Sequence, residues 1–232
     1  MGTPIAVDHV LSVDDWMNGS AAAIEAEADH LTQLDSAIGD GDHGVNMTRG
    51  MRAVLAEKIA GAAAERGDDV AAVAAIARRV NERSRSFGVA LSSCTPPAAG
   101  KPIFDLPAGE IELGIGIHGE PGRRREALGT AAQVADVMVE AVVSDLGAAS
   151  GAKVLPFVNG MGGTPLLELY LLYGEIERGL RAAGLEPARS LVGPYITSLE
   201  MAGASLTLLE LDDELAQLWD APVHTAALRW GA

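Results

Sequence analysis

The texture of the chain changes near residue 87, and that change constrains the fold more than any other feature. Before it the sequence reads as helices separated by Gly-rich breaks; after it come short apolar runs bounded by turn residues. Runs that read as strands are Phe87–Ser92, Ile111–His118, Val154–Asn159, Ser190–Val192 and Ser205–Leu211. Between them, Thr130–Leu146 and Thr164–Ala183 carry helical spacing. The second opens with Thr164 as N-cap and Pro165 at the first helical position, and Gly184 stands where a C-terminal cap belongs. Strands interleaved with helices predict an α/β domain with a mixed sheet. With 48% of its 232 residues hydrophobic, the chain has the material to bury such a core.

Upstream, residues 12–34 read as a helix: Ser12 suits the N-cap, Asp14 and Asp15 suit the first turn, and Ile24, Leu31 and Leu34 share a face. A Gly-rich break follows, then a second helix from about Val45 to Lys58. The Ala- and Gly-rich stretch Ile59–Asp69 reads as a boundary, with Asp68 or Asp69 capping a helix that runs to about Ser84. The expected architecture is a short N-terminal helical segment, two helices and a carboxylate loop, followed by the α/β domain.

Charge narrows the function classes. Lys and Arg total 17 against 32 Asp and Glu, a net charge of -15, which excludes the cationic surface that nucleic-acid binding requires. Arg123-Arg124-Arg125 reads as a solvated edge. The lone Cys94 excludes an internal disulfide and suggests a reducing compartment, and its apolar-to-small surroundings suggest a buried, inert thiol. Met1-Gly-Thr-Pro-Ile-Ala-Val-Asp lacks the pattern of a secretory leader, and no run approaches the roughly 20 apolar residues of a membrane span. A soluble, cytoplasmic protein with no nucleic-acid or membrane partner is expected.

Two constellations carry chemistry. Asp35, Asp40 and Asp42 surround Gly39 and Gly41 on the loop Asp35-Ser-Ala-Ile-Gly-Asp-Gly-Asp-His-Gly. Three carboxylates packed together repel unless a hard cation compensates, and Mg²⁺ with a phosphate ligand suits a loop that opens a helix. His43, Gly44 and Asn46 would then stand beside the phosphate. The same residues also suit an Asx-rich turn that caps the helix. In Gly114-Ile-Gly-Ile-His-Gly-Glu-Pro-Gly, an apolar strand delivers His118 to a turn whose glycines allow close approach of a ligand. His118 there suits a base, a nucleophile or a metal ligand, or simply finishes a strand.

Both segments resemble the dihydroxyacetone kinase family. Leu34-Asp-Ser-Ala-Ile-Gly-Asp-Gly-Asp-His-Gly-Val-Asn-Met-Thr-Arg-Gly, within residues ~11–55, resembles the start of the nucleotide-binding subunit. That likeness implies Asp35, Asp40 and Asp42 as Mg²⁺ ligands and His43, Gly44, Val45 and Asn46 as contacts to ATP or ADP. From about residue 57 to residue 232 the chain resembles the C-terminal half of the dihydroxyacetone-binding subunit. The residues that carry this are Gly88-Val-Ala-Leu-Ser-Ser-Cys-Thr, Ala99-Gly-Lys-Pro, Gly114–Gly122 and Val158-Asn-Gly-Met-Gly-Gly-Thr-Pro-Leu-Leu-Glu-Leu-Tyr, together with Ser198-Leu-Glu-Met-Ala-Gly, Leu211-Asp-Asp-Glu-Leu and Asp220-Ala-Pro-Val-His. The likeness implies that His118 adds to the ketone of dihydroxyacetone, or a similar small ketone, as a covalent hemiaminal during phosphoryl transfer. It implies a division at residues 1–57 and 58–232, a nucleotide-binding or phosphotransferase partner subunit, and a homo-oligomer.

The sequence departs from the family in what is missing. The later Gly-Gly-Ala-Ser-Gly segment of the nucleotide subunit has no counterpart. Nor do the Gly-x-x-His segment, with its general base, and the Lys and Asp of the substrate subunit. Losing a general base typically costs about 10²–10⁴-fold in rate. Three readings follow: a dihydroxyacetone kinase component, a non-catalytic triose-binding or regulatory protein, or a rearranged chimera without kinase activity.

Overall fold

The computed structural model describes residues 43–97, 99–116 and 122–231. The expected helix 12–34 and the carboxylate loop with Asp35, Asp40 and Asp42 lie outside them. The element order is α1 (His43–Arg66), α2 (Val70–Glu82), β1 (Ser84–Ala90), β2 (Glu110–Leu113), β3 (Arg124–Ala127), α3 (Ala131–Leu146), β4 (Lys153–Gly160), α4 (Leu166–Ala182), β5 (Glu186–Pro187), β6 (Leu191–Gly193), β7 (Gly203–Glu210), α5 (Asp213–Asp220), β8 (Val223–His224) and β9 (Arg229–Trp230). A seven-stranded sheet runs β3-β2-β1-β7-β4-β5, with β6 also paired to β4; β8 and β9 form a separate hairpin.

The mixed α/β expectation is met. β7 sits between β1 and β4 and is antiparallel to both, with Ala90 opposite Gly203 and Gly160 opposite Ala204. β5 and β6 run parallel to β4, as the crossover through α4 requires. Side chains alternate along the strands as period two demands. Val154, Val158, Leu206 and Leu208 pack against α3 and α4. Leu155, Phe157 and Leu209 point the other way, into a second core with α1, α2 and α5. Pro156 is tolerated inside β4 because its missing N–H faces the gap between the β5 and β6 pairings.

Several boundaries differ from the sequence reading for identifiable reasons. The second helix does not end at Lys58: α1 continues to Arg66, because Ile59 and Ala63 are fully buried against the second core. The stretch from Gly61 to Arg66 is thus helix, not a break, and the turn falls at Gly67, with φ +98°. α1 therefore passes through residues 57 and 58 without interruption, and the compact unit described here spans His43–Ala232. Asp69 is the cap of α2, accepting from Ala72 N, while Asp68 pairs with Arg66. β1 begins at Ser84, since Ser84-Arg-Ser continues the ladder with β7 and Ser86 Oγ bonds Thr207 Oγ1 at 2.7 Å. Thr164 is not the N-cap of α4. Pro165 holds that position without a side-chain bond, and the Thr164 hydroxyl serves Gly203 instead. Gly184, at φ +82°, follows the helix as expected.

α5 is fastened by charge and by ring contacts. Glu214 accepts from Arg66 Nη2 at 3.0 Å and Arg79 Nη2 at 2.6 Å, which joins the ends of α1 and α2 to α5. Buried Lys58 donates to Leu218 O at 2.9 Å and lies 5.3 Å from the Trp230 ring, whose centroid is 5.0 Å from that of Trp219. Burial pushes the Lys58 ammonium down, partly offset by Asp220. Trp230 thus packs the C-terminal hairpin against α1 and α5. No helix among the described residues is long and apolar enough to cross a membrane.

The hydrogen bonds from Arg79 and then Arg66 hold the Glu214 carboxyl below its ordinary value. A carboxyl lowered by folding contributes stability that is complete above its unfolded pKa, about 4.3, and lost as pH falls through the folded one. Glu214→Gln should lower the melting temperature by a few degrees at pH 7. The gap from the parent should close on acidification below about pH 4, as read by a melting series across pH.

Candidate functional site

The ends of β1 and β4 and the start of β7 meet at one end of the sheet, and the loops there assemble around a small apolar cluster. Ala90, Cys94, Ile115, Met161 and Met201 are buried together, flanked by Ile103, Phe104 and Ile196. Cys94 is buried, as its neighbours in sequence suggest, with Sγ 3.4 Å from Ser198 Oγ.

The segment that carries His118 joins β2 to β3, and its outgoing flank places Ile115 in this cluster. The expected strand Ile111–His118 stops at Leu113, because Gly114 turns the chain with φ +76°, a conformation that L side chains avoid. Gly114 N donates to Gly88 O at 2.7 Å, and Ile115 is fully buried. On the return side Arg123 N donates to Leu113 O at 2.7 Å. Glu112, only 4% exposed, accepts from Gly122 N at 2.9 Å through Oε1 and from Arg125 Nε through Oε2. A Cβ on Gly122 would stand 2.7 Å from Leu113 O, so only glycine fits that close return. Residues 117–121, His118 and Glu120 among them, lie outside the described residues; both flanks of that segment are described and fixed.

Opposite these flanks, β4 delivers the turn after Val158. Fully buried Asn159 accepts from Tyr195 N at 2.9 Å and Ile196 N at 2.8 Å, and donates to Ile196 O at 2.7 Å. Gly162, at φ +125°, lies so close to Leu199 that a Cβ would stand 1.9 Å from its carbonyl oxygen. The Thr164 hydroxyl donates to Gly203 O and accepts from Gly203 N, both at 2.8 Å. Leu199 itself is held at φ 50°. These contacts make Val158-Asn-Gly-Met-Gly-Gly-Thr-Pro a strand-to-helix turn between β4 and α4.

Further bonds tie the remaining loops together. Glu200 Oε1 accepts from Thr95 N at 2.7 Å, Ser92 Oγ from Ala202 N at 2.9 Å, and Ser93 Oγ from Phe104 N at 3.2 Å. Hydrogen bonds from its own backbone and from Thr95 hold the Glu200 carboxyl below the usual range, partly offset by desolvation. Among the described residues no group of three or more His, Cys, Asp or Glu is arranged to hold a metal. Of the sequence-predicted nucleotide contacts, His43, Gly44, Val45 and Asn46 form the first turn of α1.

Sequence reasoning missed Glu112. In a strand where Ile111 and Leu113 face the core, the residue between them reads as solvent-facing. The return of the chain supplies partners for both of its oxygens, at Gly122 and Arg125. Asn159 stood inside a recognised motif, yet nothing local marks its side chain as a clamp for residues 195–196.

A mixed sheet with a glycine-bounded histidine segment pinned at one end defines a recognisable class of domain. Residues 13–227 match the Dak1 domain family, and the chain belongs to it. The match begins within residues 11–55, the segment expected from its motif to resemble the start of the nucleotide-binding subunit. Among its relatives is the "PEP-dependent dihydroxyacetone kinase, dihydroxyacetone-binding subunit DhaK" of Escherichia coli, 42% identical over 227 residues. That alignment covers 88% of this chain but only 62% of the relative, so the chain is markedly shorter than a subunit of this kind. Two solved structures share the fold. The "Dihydroxyacetone kinase operon co-activator Dha-DhaQ" has TM-score 0.69 and 31% identity, over 73% of this chain and 53% of that one. The dihydroxyacetone kinase of C. freundii has TM-score 0.62 and 31% identity, over 75% and 32%.

Asn159→Ala would strand two backbone N–H groups and one carbonyl in the interior, at about 1–3 kcal/mol for each group left without a partner. We expect urea unfolding to show a loss of at least about 2 kcal/mol. Asn159→Asp, which still accepts both N–H bonds, should lose less. A near-neutral Asn159→Ala would contradict the clamp.

Proposed function

We propose that this chain is a component of a dihydroxyacetone kinase, and that it binds the triose, or a similar small ketone, covalently through His118. The observation that carries the reading is the pair of fixed flanks, Gly114–Ile115 and Gly122–Arg123, around the segment that holds a histidine among glycines. The likeness to a dihydroxyacetone-binding subunit over 88% of the chain supports the substrate class. In the step proposed, a lone pair on the neutral imidazole attacks the ketone carbon. The carbonyl π pair moves to oxygen, which gains a proton as the ring loses its N–H proton. The product is a hemiaminal that retains every atom of the triose. Such a bond holds a small, weakly adhesive substrate and favours ketones and aldehydes over polyols.

The phosphoryl donor is a nucleotide or a phosphotransferase partner. The name of the Escherichia coli relative, "PEP-dependent", supports the second. For the first, Asp35, Asp40 and Asp42 would hold Mg²⁺, with His43, Gly44, Val45 and Asn46 at the phosphates of ATP or ADP. Three carboxylates are the donor set that Mg²⁺ takes. Mg²⁺ would supply charge neutralisation of the transferred phosphoryl group. On this reading the N-terminal division lies near residue 57 by ancestry, and the protein works in the cytoplasm.

A second reading is favoured by one observation, the likeness to an operon co-activator. A protein of that kind would bind the triose through His118 without transferring phosphate. Native mass spectrometry with dihydroxyacetone, paired with a coupled assay with Mg-ATP, separates the two. We expect a mass gain of one intact triose without loss of water, abolished in His118→Ala. Turnover supports the kinase component, an adduct without turnover either with Mg-ATP or with a phosphorylated phosphotransferase partner supports the regulator, and no adduct removes both.

The expected homo-oligomer finds support in an apolar strip on the first half of α4. Leu166, Leu167, Tyr170 and Leu171 are exposed there, Leu167 to 73%. Leu171 also lines a cavity of about 270 Å³ with Leu91 and Leu128. Leu167→Glu together with Leu171→Glu should yield a folded protein of smaller sedimentation coefficient. An unchanged coefficient would place the interface elsewhere.

A further inference from the structure

Over its first half α4 is apolar on two opposite faces. Leu169, Leu172, Ile176 and Leu180 are buried in the core shared with the sheet and α3. At 3.6 residues per turn Leu167 and Leu171 fall on the far side of the helix, exposed together with Leu166 and Tyr170. A helix that is apolar all round belongs in an interior. Of the eight large hydrophobic residues exposed among the described ones, only Val70 lies away from this end of α4. Leu91 and Leu128 rim the cavity that Leu171 lines, and Leu199 stands against Gly162 in the turn that leads into the helix.

Two residues of this surface have no explanation in the chain's own packing. Leu199 holds φ 50°, a left-handed conformation that Asn or Gly takes more readily, and still leaves half of itself in water. Gly174 lies mid-helix, three residues after Leu171 and seven after Leu167, and so on their face. Glycine there weakens the helix, yet a Cβ would meet nothing within 4 Å. Gly179 differs, since a Cβ there would stand 3.4 Å from Val139 of α3.

Charge and area point to the occupant. The stretch Leu166–Gly174 carries one charge, Glu168, and beyond it Arg178 and Arg181 pair with Glu175 and Glu177. Copies of a chain with net charge -15 meet with least repulsion through a face so poor in charge. The seven side chains leave on the order of 100 Å² each in water, so the patch approaches the ~800 Å² that each partner of a standard interface buries. A two-fold axis makes such a patch its own complement. With α4 antiparallel to its copy and the axis between Leu167 and Leu171, position 174 of one helix lies level with position 164 of the other, beside the turn that bears Leu199.

We propose that a second copy of this chain docks antiparallel on the outward face of α4, with the exposed, left-handed Leu199 of each copy seated in the notch at Gly174 of the other. This rests on the reading of the chain as a homo-oligomer through α4, and adds the mode of docking and the contact that fixes it. The contact accounts for both anomalies: Leu199 is held outward where it meets the partner, and Gly174 leaves the space that it enters.

The test measures the dimer dissociation constant of the full chain by sedimentation equilibrium, and its melting temperature at a dilution where it is monomeric. Gly174→Gln puts a better helix former into open space, and Leu199→Asn suits the left-handed backbone. Each should leave the melting temperature of the dilute chain unchanged or higher, yet weaken the dimer roughly 10-fold or more, since an apolar contact is lost twice across the axis. A chain carrying Gly174→Cys and Leu199→Cys should form a covalent dimer on mild oxidation. Native Cys94 is buried, and residues 166–174 alone span about 12 Å of helix, too far for a disulfide within one chain. A parent chain that stays monomeric at every concentration overturns the oligomer reading and this contact with it. A parent dimer whose dissociation constant is unchanged in both variants, or which yields no covalent dimer, overturns this contact alone. So does a weaker dimer accompanied by a lower melting temperature of the dilute chain, the mark of a merely structural role.

Discussion

The constraint on which the rest depends is the burial of β7 on both faces and both edges. It pairs antiparallel with β1 along one side and β4 along the other, and its residues from Gly203 to Leu209 are all buried. A strand so placed needs a helical layer over each face, and the chain supplies them: α3 and α4 over one, α1, α2 and α5 over the other. The same arrangement brings the ends of β1 and β4 and the start of β7 to one place. The loops after β1 and β4 and before β7 spring from that end, whereas the 114–123 segment leaves from the end of β2, where Leu113 pairs with Val89 and Gly114 bonds Gly88.

Around that end the scaffold spends polar groups on backbone rather than on solvent. Asn159 holds residues 195–196, Thr164 holds Gly203, and Glu112 holds Gly122. Each fastens a loop to a strand by satisfying groups that would otherwise be buried without partners. Glycine is required at two of the close approaches, Gly122 against Leu113 and Gly162 against Leu199, where a Cβ would collide with a carbonyl oxygen. The loops at this end of the sheet and the two flanks of segment 117–121 are therefore fixed by short-range geometry.

Much of this was legible in the residues. The strand cores at Val89, Val154–Asn159 and Ser205–Leu209, and the helices α3 and α4, follow from periodicity, because each has one or two apolar faces of the proper period. What was not legible has physical causes. The Ala- and Gly-rich stretch after Lys58 reads as a break, since small residues carry no strong period. Tertiary burial of Ile59 and Ala63 makes it helix. The edge strand β3 is charged and wholly exposed, so its only signal is pairing with β2. Thr164 reads as a cap because its position is right, yet its hydroxyl finds a better partner across the turn in Gly203. Glu112 and Asn159 became site residues only through segments distant in the chain or folded back over them. The motif at Gly114–Gly122 carried no information about what anchors its flanks, since Glu112 and Gly88 lie outside it.

The central claim is that His118 forms a covalent bond to a small ketone, held in place by flanks that the fold fixes. It is tested most directly by carbon-13 NMR of the protein with dihydroxyacetone labelled at its carbonyl carbon. The account predicts that the bound signal leaves the ketone region and appears where a tetrahedral carbon bearing nitrogen and oxygen resonates, and that His118→Ala abolishes it. A bound signal that stays in the ketone region, or a tetrahedral signal that survives the loss of His118, would contradict it.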